Sequence, residues 1–176
     1  MNTPNKLTLL RVLLIPVFIV LVYLNFPFHL IWALAVFIIA SLTDFLDGRL
    51  ARSRGLVTDF GKFMDPLADK MLVMAALVCF VELGRLPAWA MLIVIVREFA
   101  VTALRLIAVE GGRVIAAGWS GKVKTASTMV CICLMLAFTG LPVLDGVCTV
   151  VILATTIYSG AEYFIKNRDV MDWSDM

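Results

Sequence analysis

Charge is scarce in this chain. Only 16% of its 176 residues are Asp, Glu, Lys or Arg, while 62% are hydrophobic. A soluble domain of this length has no interior large enough for so much apolar surface, so that class is excluded. Histidine is nearly missing. The single one, His29, stands at a turn-like break far from the acidic residues, as an interfacial residue rather than a ligand or a base. The four cysteines, Cys79, Cys131, Cys133 and Cys148, all lie in apolar runs without metal-type spacing. They read as small hydrophobic filler. There is no long linker, low-complexity segment or internal repeat, which implies one domain over residues 1–176. The net charge is only +2, and no nucleic-acid partner is indicated.

What the chain does have is long apolar runs. Val12 to Thr43, Thr125 to Leu144 and Gly146 to Ala161 carry no Asp, Glu, Lys or Arg. A membrane-spanning helix needs about 20 mostly apolar residues. The pattern predicts an all-α integral membrane protein with six transmembrane helices, near 7–25, 29–53, 61–83, 87–109, 119–140 and 143–165. Turn-like breaks separate them: Asn25-Phe26-Pro27, Ser53-Arg54-Gly55, Gly84-Arg85-Leu86-Pro87, Gly111-Gly112 and Gly140-Leu141-Pro142. The first helix is too long for a signal peptide and has no small-residue cleavage site after it. Lys6 and Arg11 precede or open the first helix, and Lys166 and Arg168 follow the last. Arg49, Arg52, Arg54 and Lys62 flank the second connection, and Arg113, Lys122 and Lys124 the fourth. The odd connections offer only Arg85. The positive-inside rule therefore puts both termini in the cytoplasm.

Into this oily chain the stretch from Asp44 to Asp69 sets four carboxylates: D-x2-D-G-x2-A-R-x8-G-x3-D-x3-D. Such groups are costly near lipid and usually functional. Asp44, Asp47, Gly48, Ala51 and Arg52 share one helical stripe; Gly61, Asp65 and Asp69 share another. A turn at Arg54-Gly55 brings the stripes face to face at the cytoplasmic side, in a polar cavity. Pro66 weakens the third helix there, as is tolerated beside a cavity. Four carboxylates repel one another and lose hydration on burial; a divalent cation reverses both effects. Oxygen-only ligands favour Mg²⁺, Ca²⁺ or Mn²⁺ over zinc, and two ions clamp a phosphoryl displacement. Ion pairs with Arg49, Arg52, Arg54 or Lys70 explain one such Asp better than four on two stripes. Gly48, Gly61 and Ala51 leave room for a ligand or for a packed helix, and Arg52 offers a planar fork for phosphate. Together they describe a nucleotide diphosphate site.

With these residues in place, the chain resembles the CDP-alcohol phosphotransferase family, whose signature Asp44 to Asp69 matches without a gap. Within the family it is similar to the bacterial branch that uses glycerol 3-phosphate. The stretches that carry this are Pro4 to Arg11, Arg97 to Arg105, Gly121 to Thr125 and Ser159 to Phe164. The resemblance implies a dimeric six-helix enzyme of the bacterial cytoplasmic membrane, its active site facing the cytoplasm. Asp44, Asp47, Asp65 and Asp69 are implied as ligands of two divalent ions, Mg²⁺ first and Mn²⁺ next. Asp69 is also implied as the general base. Asn5, Thr8, Gly48, Ala51, Arg52, Thr58 and Gly61 are implied to meet the CDP-diacylglycerol donor, although Asn5 and Thr8 suit capping the first helix equally. The phosphatidyl group passes to glycerol 3-phosphate and CMP leaves. No Ser, Cys or His stands in the constellation as a nucleophile with its own base.

The acceptor's phosphate calls for cations, and Arg97, Arg105, Lys122 and Lys124 are the candidates. Glu98 competes as an ion-pair partner for one Arg, with Arg105 on nearly its face. Arg113 reads as an orientation charge. Inositol phosphate, serine or phosphatidylglycerol are alternative acceptors with unchanged chemistry; the basic residues disfavour serine. A cation transporter is the alternative from another class. It fits less well, because the carboxylates lie at one end and no repeat with paired broken helices is present.

Overall fold

The computed structural model describes residues 3–54, 59–116 and 118–170, with side chains for residues 9–43, 70–116 and 118–170. Six helices follow one another: α1 Thr3–Tyr23, α2 His29–Arg54, α3 Asp59–Glu82, α4 Ala88–Glu110, α5 Trp119–Ala137 and α6 Pro142–Lys166. A short 3-10 turn, Arg168–Val170, ends them. Among the described residues there is no strand. The fold is all-α, as the apolar runs predict.

Two boundaries differ from expectation by more than two residues. α1 starts at Thr3 rather than near residue 7, because Pro4 needs no backbone donor in a first turn. α5 stops at Ala137 rather than near 140, ahead of Gly140, whose φ is 76°. α3 is helical on both sides of Pro66. The connection before α2 turns at Phe28, which holds φ 63° without being glycine. Its carbonyl accepts the amides of Ile31 and Trp32, at 2.9 and 3.2 Å, and so starts the helix. Gly84, at φ 70°, makes the corresponding reversal after α3, where a Cβ is disfavoured.

The chain forms two compact units, Met1–Leu83 with Ile132–Gly140 and Gly84–Cys131 with Leu141–Met176. In the first, α1 packs on α2 and α3, and α2 on α3. Ile15, Phe18 and Val22 of α1 meet Ala33, Phe37 and Ala40 of α2, each set at helical spacing and buried. The rings of Phe18 and Phe37 lie 5.9 Å apart, tilted by 51°. Arg11, read from the sequence as an orientation charge, is also a packing residue. It is 1% exposed, inside this packing, and its Nε donates to the Ala40 carbonyl at 3.3 Å. Thr43 Oγ1 donates to the same carbonyl at 2.7 Å.

In the second unit α4 packs along α6. Val101, Leu104 and Tyr163 form a small core, with Ile115, Phe164 and Val170 against it. Large apolar side chains also cover the outside. Leu13, Val17 and Val20 of α1, Leu92, Val96 and Phe99 of α4, and Val147, Val150 and Ile157 of α6 are all exposed. Water-soluble monomers do not carry apolar surface on this scale. Among the described residues, α5 and α6 are long and apolar enough to cross a bilayer, and Leu9–Tyr23 and His29–Thr43 are shorter apolar stretches. The protein is membrane-associated.

Candidate functional site

The backbone places the carboxylate signature on two helices. Asp44, Asp47, Gly48, Ala51 and Arg52 lie in the last part of α2, and Gly61, Asp65 and Asp69 in the first part of α3. α2 and α3 pack on each other. The side chains of these eight residues fall outside the described ones, and Thr58 lies outside them altogether. Asn5 and Thr8 sit inside the opening turns of α1, not at its cap; their side chains are also outside the described set. Among the described residues no group of three or more His, Cys, Asp or Glu side chains is placed to hold a metal.

Chemistry is most visible along α4 and α6. Four arginines stitch this seam in chain order. Arg85, just before α4, meets Asp145 in the first turn of α6: Nε donates to Oδ2 at 2.9 Å and Nη2 to Oδ1 at 2.6 Å. Arg97 Nη2 donates to Ser159 Oγ at 2.5 Å. Arg105 Nε donates to Tyr163 Oη at 3.0 Å, and its guanidinium carbon lies 5.4 Å from that ring's centroid. Arg113, after α4, pairs with Asp169 of the terminal 3-10 turn. The rising partner numbers mean that α4 and α6 run in the same direction.

The four pairs differ in kind. The two end arginines meet carboxylates, and the two central ones meet hydroxyls. The Arg113 guanidinium beside Asp169 holds that carboxyl below its ordinary value, but both side chains are more than half exposed. That pair is a surface tie, so Arg113 does more than orient the chain. The central arginines are half-buried and keep charge that α6 does not cancel.

Glu98 answers part of that charge. Its Oε1 accepts from Arg97 Nη1 at 2.8 Å and from Lys124 Nζ of α5 at 2.7 Å. The side chains are 13%, 13% and 7% exposed for Arg97, Glu98 and Lys124. One carboxylate thus serves two cations in a low-dielectric setting. The expected ion pair between Glu98 and one arginine forms, and the arginine is Arg97. α5 brings Lys124 to Glu98, while Tyr163 takes Arg105. Among the described residues Arg105 makes no ion pair. Lys122 stands apart from the cluster: it is exposed, its ammonium 6.0 Å from the Trp119 ring centroid.

Ser159 and Tyr163 are the α6 partners of Arg97 and Arg105, and their place in the stretch from Ser159 to Phe164 gave them no individual role. Their i, i+4 spacing on α6, against Arg97 and Arg105 on α4, was the available signal. Gly121 and Gly160 border Arg97 as well. A Cβ at Gly160 would stand 3.2 Å from Arg97 Cγ, and one at Gly121 3.8 Å from Arg97 Nη2.

The seam thus carries two half-buried guanidinium groups, with the Lys124 ammonium beside one of them on Glu98. The CDP-alcohol phosphatidyltransferase family description matches residues 1–158. The chain is 41% identical to a CDP-diacylglycerol–glycerol-3-phosphate 3-phosphatidyltransferase of Bacillus subtilis strain 168, over 99% of this chain and 99% of that protein. It is 40% identical to a probable phosphatidylglycerophosphate synthase of Mycobacterium tuberculosis, over 96% and 83%. It is 46% identical to a CDP-diacylglycerol–glycerol-3-phosphate 3-phosphatidyltransferase of Pseudomonas fluorescens, over 78% and 73%.

Proposed function

The chain belongs to the CDP-alcohol phosphatidyltransferase family, and from that premise we propose that it transfers the phosphatidyl group of CDP-diacylglycerol to glycerol 3-phosphate. The products are phosphatidylglycerophosphate and CMP. The observation that carries the acceptor is the pair of half-buried central arginines: α6 meets them with hydroxyls rather than acids, and Arg105 makes no ion pair among the described residues. A neutral acceptor such as serine has no use for them.

The donor set fits divalent metal: four Asp within two packed helices, with oxygen donors only. Asp44, Asp47, Asp65 and Asp69 hold two ions, Mg²⁺ before Mn²⁺, which when bound offset charge on the diphosphate. The chain's own residues divide the remaining work. Asp69 accepts the proton of the acceptor's 1-hydroxyl. The freed oxygen attacks the phosphorus that carries diacylglycerol, and the bond from that phosphorus to CMP breaks. Arg52, with Gly48, Ala51 and Gly61, receives the CDP part of the donor, joined by Asn5, Thr8 and Thr58. Arg97, Arg105 and Lys124 take the acceptor's phosphate, and Lys122 adds to the basic approach.

The same reading makes residues 1–176 one multi-pass domain of the bacterial cytoplasmic membrane. All six helices span it, both termini and the carboxylate cavity face the cytoplasm, and two copies pair. The basic residues at the termini and at the second and fourth connections support this orientation. The test is CMP release by purified protein with CDP-diacylglycerol and Mg²⁺. Glycerol 3-phosphate, inositol phosphate and serine are supplied separately. We expect release with glycerol 3-phosphate alone, abolished by Asp69→Asn and by chelation, and restored by Mg²⁺. Release with another acceptor instead overturns the choice of acceptor.

A further inference from the structure

Arg97 is held more tightly than a salt bridge requires. Its two terminal nitrogens are both committed, one to Glu98 and one to Ser159. Its stem lies on Gly160, where even a methyl group would reach 3.2 Å from Cγ. That is closer than side chains ordinarily pack, so Arg97 would have to shift. Ser159 is 1% exposed, so its hydroxyl is not a surface contact that water replaces. Gly121 of α5 borders the same contact: a Cβ there would stand 3.8 Å from Arg97 Nη2 and 3.9 Å from Ser159 Oγ. Two helices thus contribute small or hydroxyl residues around one guanidinium of a third, Gly121 from α5 and Ser159 and Gly160 from α6. Helix packing alone does not account for this, because close approach of two backbones needs no hydroxyl aimed at an arginine.

We propose that the Ser159–Gly160 step of α6, with Gly121 of α5, is a positioning element that sets where the Arg97 guanidinium meets the phosphate of the acceptor. The inference rests on the assignment of Arg97 to that phosphate. None of the three residues touches substrate. Ser159 fixes the guanidinium's rotation through Nη2, and Gly160 fixes how close the stem lies to α6. A shift of a few tenths of an ångström spoils a paired, directional contact with phosphate far more than a diffuse attraction.

The test compares Arg97→Gln, Gly160→Ala and Ser159→Ala by steady-state CMP release, varying each substrate separately. Inorganic phosphate serves as a competitor of the acceptor. Gly160→Ala and Ser159→Ala are each expected to raise KM for glycerol 3-phosphate about tenfold, the scale of one charge-assisted hydrogen bond. The inhibition constant of phosphate should rise in parallel, while KM for CDP-diacylglycerol changes less than twofold. A purely structural role predicts equal changes for both substrates, or loss of folded protein with no split, and either result for Ser159→Ala overturns the proposal. If Gly160→Ala fails to fold, Ser159→Ala carries the test alone. If Arg97→Gln raises the acceptor KM but neither small-residue variant does, the positioning role falls and the phosphate assignment stands. If Arg97→Gln leaves the acceptor KM unchanged, both fall together.

Discussion

Replacing Arg105 with glutamine isolates the one arginine of the α4–α6 seam that lacks a carboxylate among the described residues. The wild-type guanidinium donates to Tyr163 Oη at 3.0 Å and lies 5.4 Å from that ring's centroid. These contacts orient it without cancelling its charge. A hydrogen bond to a charged partner is worth about 1.5–3 kcal/mol, and each 1.4 kcal/mol is tenfold. If Arg105 binds the acceptor phosphate, Arg105→Gln lowers kcat/KM for glycerol 3-phosphate by about 10- to 150-fold. The values for CDP-diacylglycerol should move less than twofold. CMP release at fixed saturating donor and varied acceptor reads the effect. Arg113→Gln is the control, since its exposed pair with Asp169 ties only the surface; it should leave both constants unchanged. An unaltered acceptor KM in Arg105→Gln, in folded protein, would refute the reasoning.

Two further outcomes follow from the same seam. Arg85 and Asp145 form a bidentate pair whose side chains are only 12% and 13% exposed. Either Arg85→Ala or Asp145→Ala breaks this buried pair, so each should cost about 3 kcal/mol of stability in detergent. Acceptor KM should not change, and the double variant should cost less than the sum. Glu98→Gln leaves Arg97 and Lys124 facing each other without their shared carboxylate. Thermal unfolding should show a loss of about 3 kcal/mol, partly recovered by adding phosphate. Destabilisation unaffected by phosphate would argue against an anion at this cluster.

Much of the architecture was legible from one-dimensional patterns. Helices of this type need only a run of about 20 apolar residues and something to stop them. Prolines and glycines supplied the stops, and the six observed helices follow the expected runs. The carboxylate signature was equally legible, because its meaning lies in spacing along a helix. Asp44 and Asp47 must share a face of α2 wherever that helix packs. The partners of the basic residues were legible only within one helix. An ion pair of Glu98 with one arginine was expected and forms with Arg97, but Lys124 arrives from α5 and Tyr163 from α6.

The sequence by itself determined the helices, their apolar exteriors, the spacing of the four carboxylates and the family. Each of these depends on composition or on periodicity within a single segment. Only the tertiary structure decided which of the arginines are structural. Arg85 and Arg113 meet acids, Arg97 meets both Glu98 and a hydroxyl, Arg105 meets a hydroxyl, and Arg11 is enclosed in the first unit's packing. The reason is physical: a cation's role depends on which opposite charge comes within a few ångströms at low dielectric. That distance is set by helices that pack together from distant parts of the chain.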